Sequence, residues 1–233
     1  MKKIIIASTS TVHGSEYLEY IKEELFSFFE NTKTIVFIPY ARPGGISHDD
    51  YTATAAKAFK EMQKEVIGLH TFQDPVKAIQ EADAVFTGGG NTFLLVSQLY
   101  KNGLMEVLRE RVLNGLLYLG TSAGSNITGQ TMQTTNDMPI IYPPSFKTLG
   151  LVPFNINPHY LDPIEGSTHM GETRETRIKE FHKFNDTVVI GLREGSWLRV
   201  DGDEIVLKGK LPARIFKAGE EAFEVPAGEQ IKI

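Results

Sequence analysis

The chain has 233 residues, of which 41% are hydrophobic and 23% charged, and its formal net charge is −5. Because no dense cluster of Lys and Arg is available to neutralise phosphates, neither nucleic acid nor an anionic membrane is an expected partner. The chain has no cysteine, which excludes disulfides, thiolate metal sites and cysteine nucleophiles.

The sequence favours a single domain without a membrane segment. No apolar run approaches the ~20 residues of a membrane span. The short apolar run at 2–8 is typical of a buried strand rather than of a leader, because polar residues follow it at once. No repeat or long linker interrupts the chain, so we expect one domain over residues 1–233 and a cytoplasmic location.

The first half of the chain alternates strands with helices. Short apolar runs predict the strands, at 2–8, 34–38, 66–69, 84–87 and 116–119. Apolar residues at helical spacing predict the helices, at 15–31, 47–64, 74–82, 92–100 and 104–113. Since parallel strands need crossover connections, the alternation predicts an α/β fold with a doubly wound, mostly parallel sheet. Sites in such sheets form beyond the carboxyl ends of the strands.

The second half of the chain is less regular. A polar stretch at 131–144 predicts a long loop, and a strand is expected within 149–157. A helix at 172–184 and a buried strand at 188–192 follow. From Ser196 onward, short segments separated by turn signals predict antiparallel C-terminal edge strands or hairpins.

One pentapeptide, Gly120-Thr121-Ser122-Ala123-Gly124, carries the first sign of chemistry. It follows the fifth predicted strand and precedes Ser125-Asn126-Ile127, which is expected to open a helix. Gly-x-Ser-x-Gly between a strand and a helix is typical of a nucleophile elbow, in which the serine hydroxyl faces the cleft above the sheet. The alternative is a simple strand-to-helix turn. In the first interpretation, Ser122 is the nucleophile.

A second glycine-rich turn, Gly88-Gly89-Gly90-Asn91, follows the fourth predicted strand and lies at the same edge of the sheet. An acyl-transfer site needs two donors for its oxyanion. We expect the backbone N–H of Ala123 to be one of them, and the other to come from the glycine turn, with Gly89 and Gly90 as candidates. The competing interpretation is a phosphate-binding loop, but both the Gly-x-Gly-x-x-Gly spacing and a Walker lysine are missing.

A serine hydroxyl needs a base, and histidine is the usual one. The chain has six histidines. The candidates are His13, His48, His70, His159, His169 and His182. His159 is favoured because it stands in a short polar patch directly after an apolar stretch, where Pro158 restricts the backbone.

The base in turn needs a carboxylate that fixes its tautomer. Asp137 lies in the loop after the elbow, and Glu194 follows the predicted strand at 188–192. The position of Glu194 at the carboxyl end of a strand favours it, whereas Asp137 preserves the common Ser, Asp, His order. The residues alone leave both carboxylates open as partners of the histidine.

Five blocks of sequence, in order and spread over the whole chain, carry a family resemblance. They are Gly88-Gly89-Gly90-Asn91-Thr92-Phe93, Gly120-Thr121-Ser122-Ala123-Gly124-Ser125, Asn157-Pro158-His159, Gly171-Glu172-Thr173-Arg174 and Glu194-Gly195. Together they resemble the peptidase E family of alpha-aspartyl dipeptidases, which shares a serine peptidase family with cyanophycinase. The resemblance implies a flavodoxin-like fold similar to that of class I glutamine amidotransferases, with Ser122 in place of their cysteine.

The resemblance also implies an activity and a set of residues. It implies hydrolysis of dipeptides with an N-terminal aspartate, without a metal or another cofactor, by Ser122 as nucleophile and His159 as base. The third member is described in this family both as an aspartate after the elbow and as a glutamate after a late strand. Asp137 and Glu194 match these two positions. We expect Glu194 to pair directly with the histidine and Asp137 to be required nearby.

Selectivity for aspartate needs a cation that faces the β-carboxylate of the substrate. Arg174 is the candidate, and Arg177, one helical turn further on, is the second choice. The expected partner is a small peptide, and the expected assembly is a monomer or a homodimer. Two alternatives stay open: a cyanophycinase-like or other acidic-peptide hydrolase, and a non-catalytic module that binds a nucleotide or phosphate.

Overall fold

The computed structural model describes residues 1–163 and 171–233. Within these ranges the strands, in chain order, are β1 (Lys3–Ala7), β2 (Thr34–Ile38), β3 (Glu65–Gly68), β4 (Ala84–Thr87), β5 (Leu117–Thr121), β6 (Asn155–Pro158), β7 (Val189–Leu192), β8 (Ser196–Asp201), β9 (Glu204–Gly209), β10 (Ala213–Phe216) and β11 (Phe223–Val225). The α-helices of the same ranges are α1 (Lys22–Phe28), α2 (His48–Lys60), α3 (Pro75–Glu81), α4 (Thr92–Lys101), α5 (Leu104–Leu113), α6 (Ala123–Asn126) and α7 (Arg174–Phe181).

The strands of the described ranges form two sheets. The larger has seven strands in the order β3-β2-β4-β5-β1-β8-β9. The first five are parallel to one another, and β8 and β9 each pair antiparallel with the strand before them in this order. This confirms the predicted α/β fold with a mostly parallel sheet and antiparallel C-terminal strands. The smaller sheet has the order β11-β10-β7-β6, and it was not predicted as a separate layer. Its strands β6 and β7 are parallel to each other.

Apolar side chains cover both faces of the larger sheet. Along β1, Ile4 and Ile6 face a core shared with α3, α4, α5 and the smaller sheet. Ile5 and Ala7 face a second core, built with α1 and α2. Successive side chains of a strand point to opposite faces, so an uninterrupted apolar strand is stable only where both faces are buried. The apolar run at the start of the chain therefore belongs at the interior of a covered sheet.

Several helices are shorter than their apolar spacing predicts. The helix predicted over 15–31 starts later, because Leu18 has a φ of 59° and its N–H donates to the carbonyl of Ser10. A 3-10 turn over Glu19–Ile21 then leads into α1. The helix predicted over 172–184 begins at Arg174, where the Thr173 side chain caps it, and ends at Phe181. Helix boundaries follow capping contacts, which periodicity does not report.

Four turns that follow strand ends supply the polar groups described below. The glycine turn follows β4, and Ser122 follows β5, its neighbour in the larger sheet. His159 follows β6 and Glu194 follows β7 after one residue, and these strands are neighbours in the smaller sheet. No helix of the described ranges is long and apolar enough to cross a membrane.

Candidate active site

Ser122 occupies a strained turn between β5 and α6. Its backbone has a φ of 53° and a ψ of −110°. A non-glycine residue in such a conformation costs about 1–3 kcal/mol and persists only where its surroundings hold it. The two flanking glycines make the turn possible, because a Cβ at Gly120 would collide with the backbone of Gly124 and a Cβ at Gly124 with that of Thr87. The sequence motif thus forms the predicted elbow geometry.

Buried hydrogen bonds hold the elbow in place. The Tyr118 hydroxyl donates to the Gly124 carbonyl at 2.8 Å. The Ser125 hydroxyl oxygen lies 2.6 Å from the carbonyl oxygen of Ala7 and 2.7 Å from that of Gly120. The Ser122 N–H also donates to Ala7, at 3.2 Å. The last residue of β1, Ala7, therefore accepts two of the hydrogen bonds that hold the turn. The Ser122 residue itself is partly exposed.

The His159 ring lies against Ser122. Its Nε2 is 2.9 Å from the Ser122 Oγ, within hydrogen-bond distance. The residue has a positive φ of 53°, so its backbone too is in a conformation that most residues avoid. Its N–H donates to the Ser8 hydroxyl at 2.9 Å, and that hydroxyl donates to the Leu192 carbonyl at 2.7 Å. Ser8 therefore fixes the ends of β6 and β7 to the end of β1.

Glu194 is the third side chain of the row that starts at Ser122 and continues through His159. Its Oε1 lies 2.6 Å from Nδ1 of His159, on the opposite side of the ring from Ser122. The side chains of His159 and Glu194 are 36% and 44% exposed, so this pair lies at the open side of the site. The two residues meet because β6 and β7 are parallel neighbours, with Pro158 paired to Leu192.

Asp137 lies against the start of α4 and forms no hydrogen bond with His159 among the described residues. Its Oδ2 accepts from the N–H of Thr92 at 2.7 Å, from the hydroxyl of Thr92 at 2.6 Å and from the hydroxyl of Thr135 at 3.0 Å. The adjacent Met138 carbonyl accepts from the Asn91 side chain at 2.8 Å. In the described part of the chain, the hydrogen bonds of Asp137 go to these residues and not to His159. Asp137 fastens the post-elbow loop to the first residue of α4.

The glycine turn runs directly beside Ser122. A Cβ at Gly89 would lie 2.9 Å from the Cβ of Ser122, so only glycine allows this approach. Gly90 has a φ of 145° and packs against the backbone of Ala41. The N–H groups of Gly89, Gly90 and Ala123 have no acceptor among the described residues. Such N–H groups beside a serine hydroxyl are suited to binding a negatively charged oxygen.

Arg174 is the first residue of α7 and is partly buried. Its pKa is lowered from the ordinary arginine value, first by burial and then by Arg177, while the Asp137 carboxylate acts in the opposite direction. Arg174 therefore lies within electrostatic range of the post-elbow loop. Arg177 lies 3.7 Å from Glu172 and lines a cavity of about 430 Å³ together with Asp137.

The remaining histidines of the described ranges form no hydrogen bond with Ser122 or Glu194. They are His13, His48, His70 and His182. His70 lies 2.8 Å from Asp49, and the His182 ring contacts the Thr187 carbonyl at 3.0 Å. His169, the sixth candidate, lies outside the described residues. The described part of the chain holds no group of three or more His, Asp or Glu side chains arranged for a metal ion.

Sequence reasoning missed Ser8 as a site residue. Ser8 is fully buried, and its hydroxyl connects the His159 backbone to β7. The available signal was its position, since it is the first polar residue after β1 and therefore stands at the same carboxyl edge as the two glycine-containing turns.

A serine on a strained turn after a parallel strand, with a histidine on its hydroxyl and a carboxylate on that histidine, is the arrangement that serine hydrolases use on several folds. The fold and the site thus define a hydrolase of the acyl-transfer class.

Comparison with known proteins identifies the family. Residues 4–208 match the model of "Peptidase family S51". The chain belongs to this family of peptidases. "Peptidase E" of Streptomyces coelicolor is 50% identical over 228 residues, which cover 98% of this chain and 93% of that one. "Probable alpha-aspartyl dipeptidase" of Drosophila melanogaster is 48% identical over 220 residues, which cover 93% of this chain and 90% of that one.

A solved structure shares the fold. The crystal structure of a peptidase from an acI-B1 Actinobacterium superposes with a TM-score of 0.76 and covers 100% of this chain and 97% of that one. The sequence identity between the two chains is 18%. At this identity the likeness concerns the fold, and it agrees with the α/β architecture described above.

Proposed function

We propose that this chain is a serine-type dipeptidase that hydrolyses Asp-Xaa dipeptides through an acyl-enzyme on Ser122. The observation that carries the proposal is the line of contacts at the elbow, with Ser122 Oγ 2.9 Å from His159 Nε2 and His159 Nδ1 2.6 Å from Glu194. Membership of a peptidase family supports the reaction class. The names of the relatives, above all alpha-aspartyl dipeptidase, support the substrate class.

The proposed reaction proceeds in two acyl-transfer steps. His159 Nε2 takes the proton of the Ser122 hydroxyl as Oγ attacks the carbonyl carbon of the aspartyl residue. The tetrahedral intermediate collapses when the C–N bond breaks and His159 gives its proton to the leaving amine. Water then attacks the aspartyl ester, with His159 as the base that takes its proton. The ester C–O bond breaks, the proton returns to Ser122 Oγ, and free aspartate leaves.

Backbone N–H groups provide the oxyanion site in this proposal. Ala123 contributes the N–H directly after the nucleophile, and Gly89 or Gly90 contributes the second. The close approach of the Gly89 backbone to Ser122 supports this assignment, as does the lack of acceptors for these N–H groups among the described residues. Preorganised donors of this kind act on charge that develops only in the transition state, so they accelerate the chemical step.

The two carboxylates have different roles in the proposal. Glu194 is the catalytic partner of His159, because its contact with Nδ1 orients the ring and stabilises the imidazolium that forms. Asp137 is a positioning residue. Its bonds to Thr92 hold the post-elbow loop against α4, and they keep its carboxylate within electrostatic range of Arg174. Asp137 therefore shapes the substrate side of the site and does not form part of the proton relay.

Arg174 recognises the β-carboxylate of the substrate in this proposal. It is a partly buried cation at the start of α7, and it makes no ion pair within 4.0 Å with the described residues. Its pKa is lowered by burial first, and an incoming carboxylate would favour the charged form again. An arginine can bind a carboxylate through two parallel hydrogen bonds, which distinguishes aspartate from its neutral amide.

The test compares Asp-Leu with Asn-Leu, a neutral isostere, and with Leu-Leu, in the presence of a chelator. The wild-type enzyme is expected to prefer Asp-Leu over Asn-Leu in kcat/KM. Arg174→Gln is expected to lower kcat/KM for Asp-Leu by about 10²-fold, since a charge-assisted bidentate contact contributes about 3 kcal/mol. The same variant should leave the low rate on Asn-Leu nearly unchanged.

Arg177→Gln is the matched control, because it removes a cation one turn along the same helix. It is expected to keep the preference for Asp-Leu. If Arg177→Gln removes that preference and Arg174→Gln does not, the recognition role belongs to Arg177. Lack of Asp-Leu hydrolysis by the wild-type chain would contradict the proposed function itself. Cleavage of longer β-linked Asp-Arg polymers would instead indicate a cyanophycinase-like hydrolase. The cytoplasmic location, the single domain and the monomer-or-homodimer state stay predictions.

A further inference from the structure

The Tyr51 side chain extends from α2 to the glycine turn. The residue is 2% exposed, and its ring packs edge-on against Phe37, with ring centroids 4.9 Å apart. The guanidinium of Arg42 lies over the ring, 4.9 Å from the centroid. The Tyr51 hydroxyl donates to the carbonyl of Gly89 at 3.0 Å, and this bond is buried. A ring fixed in this way holds its hydroxyl at one place.

The bond from Tyr51 determines where the next N–H points. In a planar trans peptide, the carbonyl of one residue and the N–H of the next point in opposite directions. Because Gly89 directs its carbonyl to Tyr51, the N–H of Gly90 must point away from Tyr51. The same peptide starts at the Cα of Gly89, which lies so close to Ser122 that a Cβ added there would be 2.9 Å from the Ser122 Cβ. The plane of one peptide beside the serine is therefore set by a phenol from a different element of the fold.

Neighbouring backbone bonds do not fix this plane by themselves. The N–H of Gly88 donates to Ile38 and the N–H of Asn91 donates to Ala41, so both ends of the turn are anchored. The peptide between Gly89 and Gly90 lies between these anchors, and glycine populates φ values of either sign. A peptide flanked by two glycines can rotate between its anchors at low energetic cost. The hydroxyl of Tyr51 opposes that rotation.

We propose that Tyr51 is a positioning residue of the oxyanion site, which aims the N–H of Gly90 at the oxygen that becomes negative during acyl transfer. Among the described residues, the Tyr51 hydroxyl bonds to the Gly89 carbonyl and not to the Ser122 hydroxyl. The inference rests on the proposed function, because it assigns a cause to the geometry of one of its oxyanion donors. It predicts that loss of a single hydroxyl from a buried aromatic side chain lowers the rate of chemistry and leaves binding of the ground state intact.

The first test is Tyr51→Phe, which removes the hydroxyl and keeps the ring. We expect kcat for Asp-Leu to fall by about 10- to 100-fold, somewhat less than the 10²–10³ that loss of a whole oxyanion donor costs. KM and inhibition by free aspartate should change less than about twofold. The rate at which a fluorophosphonate labels Ser122 should fall by a similar factor, because that reaction also develops negative charge on an oxygen.

The matched control is Tyr100→Phe, which removes another hydroxyl that donates to a backbone carbonyl, that of Lys147 at 3.1 Å. It is expected to leave kcat and labelling unchanged. A donor restored at position 51, as 4-aminophenylalanine, should recover most of the lost rate. If the phenylalanine variant is unfolded by circular dichroism, 4-fluorophenylalanine fills the volume of the hydroxyl without donating and takes its place in the comparison.

Two results would overturn the inference. One is a Tyr51→Phe enzyme with unchanged kcat and unchanged labelling. The other is a loss of rate that 4-aminophenylalanine does not recover, or that appears equally in KM and in aspartate inhibition, since a general distortion of the site would do this. Fluorophosphonate labelling separates this inference from the proposed function. If the wild-type chain does not cleave Asp-Leu, labelling of Ser122 still reports whether Tyr51 aims an oxyanion donor.

Discussion

The proposed nucleophile and its proposed base come from two sheets that are held together in different ways. Ser122 belongs to the larger sheet, where close steric contacts and buried hydrogen bonds of neutral groups fix the elbow. His159 and Glu194 belong to the smaller sheet, where the residue beside the glutamate, Arg193, takes part in a group of ion pairs. Neutral contacts and ion pairs respond differently to substitution and to pH, so the two sides of the site are expected to differ in both responses.

The elbow side offers little freedom to move. The elbow and the four residues that follow it are buried except for the Ser122 side chain itself. Gly120 lies against the backbone of Gly124, and Gly124 lies against the backbone of Thr87. Neither position has room for a methyl group. No ionised group takes part in these contacts, so protonation cannot loosen them. We therefore expect substitutions on this side to act through the chemistry of the serine or through packing.

On the side of the smaller sheet, ion pairs of Arg193 hold the structure together. The guanidinium of Arg193 donates to both carboxylate oxygens of Asp162, at 2.8 and 2.6 Å. It also donates to both oxygens of Glu224, at 2.8 and 2.9 Å. Hydrogen bonds from Arg193 lower the pKa of the Asp162 and Glu224 carboxyls below their usual values. Arg193, directly after β7, thereby links the end of that strand to Asp162 and to Glu224 of β11.

The largest expected effect lies on the elbow side. Ser122→Ala is expected to lower kcat for Asp-Leu by roughly 10⁴–10⁶, because loss of the nucleophile leaves only oxyanion binding and substrate binding. The variant should keep the thermal stability of the wild type and should still bind free aspartate, as measured by calorimetry. Full activity in this variant would show that the elbow serine is not the nucleophile.

The next largest effects are expected from neutralising the two carboxylates, Glu194 and Asp137. Glu194→Gln is expected to lower both Asp-Leu turnover and fluorophosphonate labelling by roughly 10²–10⁴, since the neutral amide no longer stabilises the imidazolium. Asp137→Asn is expected to lower kcat/KM for Asp-Leu by about 10²-fold through misplacement of the substrate. Its labelling rate should fall by no more than about tenfold. Equal losses of labelling in the two variants would contradict the separation of roles.

The smallest effect concerns stability on the Arg193 side. Arg193→Met is expected to lower Tm at pH 7 by about 2–5 °C, because partly exposed ion pairs each contribute about 1 kcal/mol or less. Asp162 and Glu224 have folded-state pKa values below their unfolded values of about 4. Their contribution is therefore fully present above about pH 5 and is lost as the pH falls through the lowered values.

The difference in Tm between wild type and Arg193→Met should shrink as the pH falls below about 4. Lys77→Met is the control, because it removes an exposed pair with Glu81 at 3.7 Å and should change Tm little at any pH. A difference between wild type and Arg193→Met that stays constant down to pH 3 would show that Arg193 stabilises the protein by packing and not by charge.

The spacing of apolar residues along the chain was sufficient to predict many of the strands and helices. β4 runs from Ala84 to Thr87 and α5 from Leu104 to Leu113, as the apolar runs and spacings predict. β4 is fully buried within the larger sheet, and α5 buries one apolar face in the adjoining core, so their apolar patterns are clear. The helix predicted from residue 15 differs from the structure because a tertiary backbone bond, from Leu18 to Ser10, replaces its first turns. Contacts with groups outside the helix, such as this bond and the Thr173 cap of α7, explain why such boundaries escape prediction.

The sequence by itself determined the elements that a local pattern encodes: the parallel strands, the elbow and the glycine turn. It also left His159 as the favoured base. The tertiary structure alone decided which carboxylate reaches that histidine, because Asp137 and Glu194 both follow plausible site elements. β6 and β7 pair in parallel and bring Glu194 to 2.6 Å from His159, whereas Asp137 is bound to the start of α4. Such pairings depend on strand order and register across the chain, and these are properties of the packed sheets.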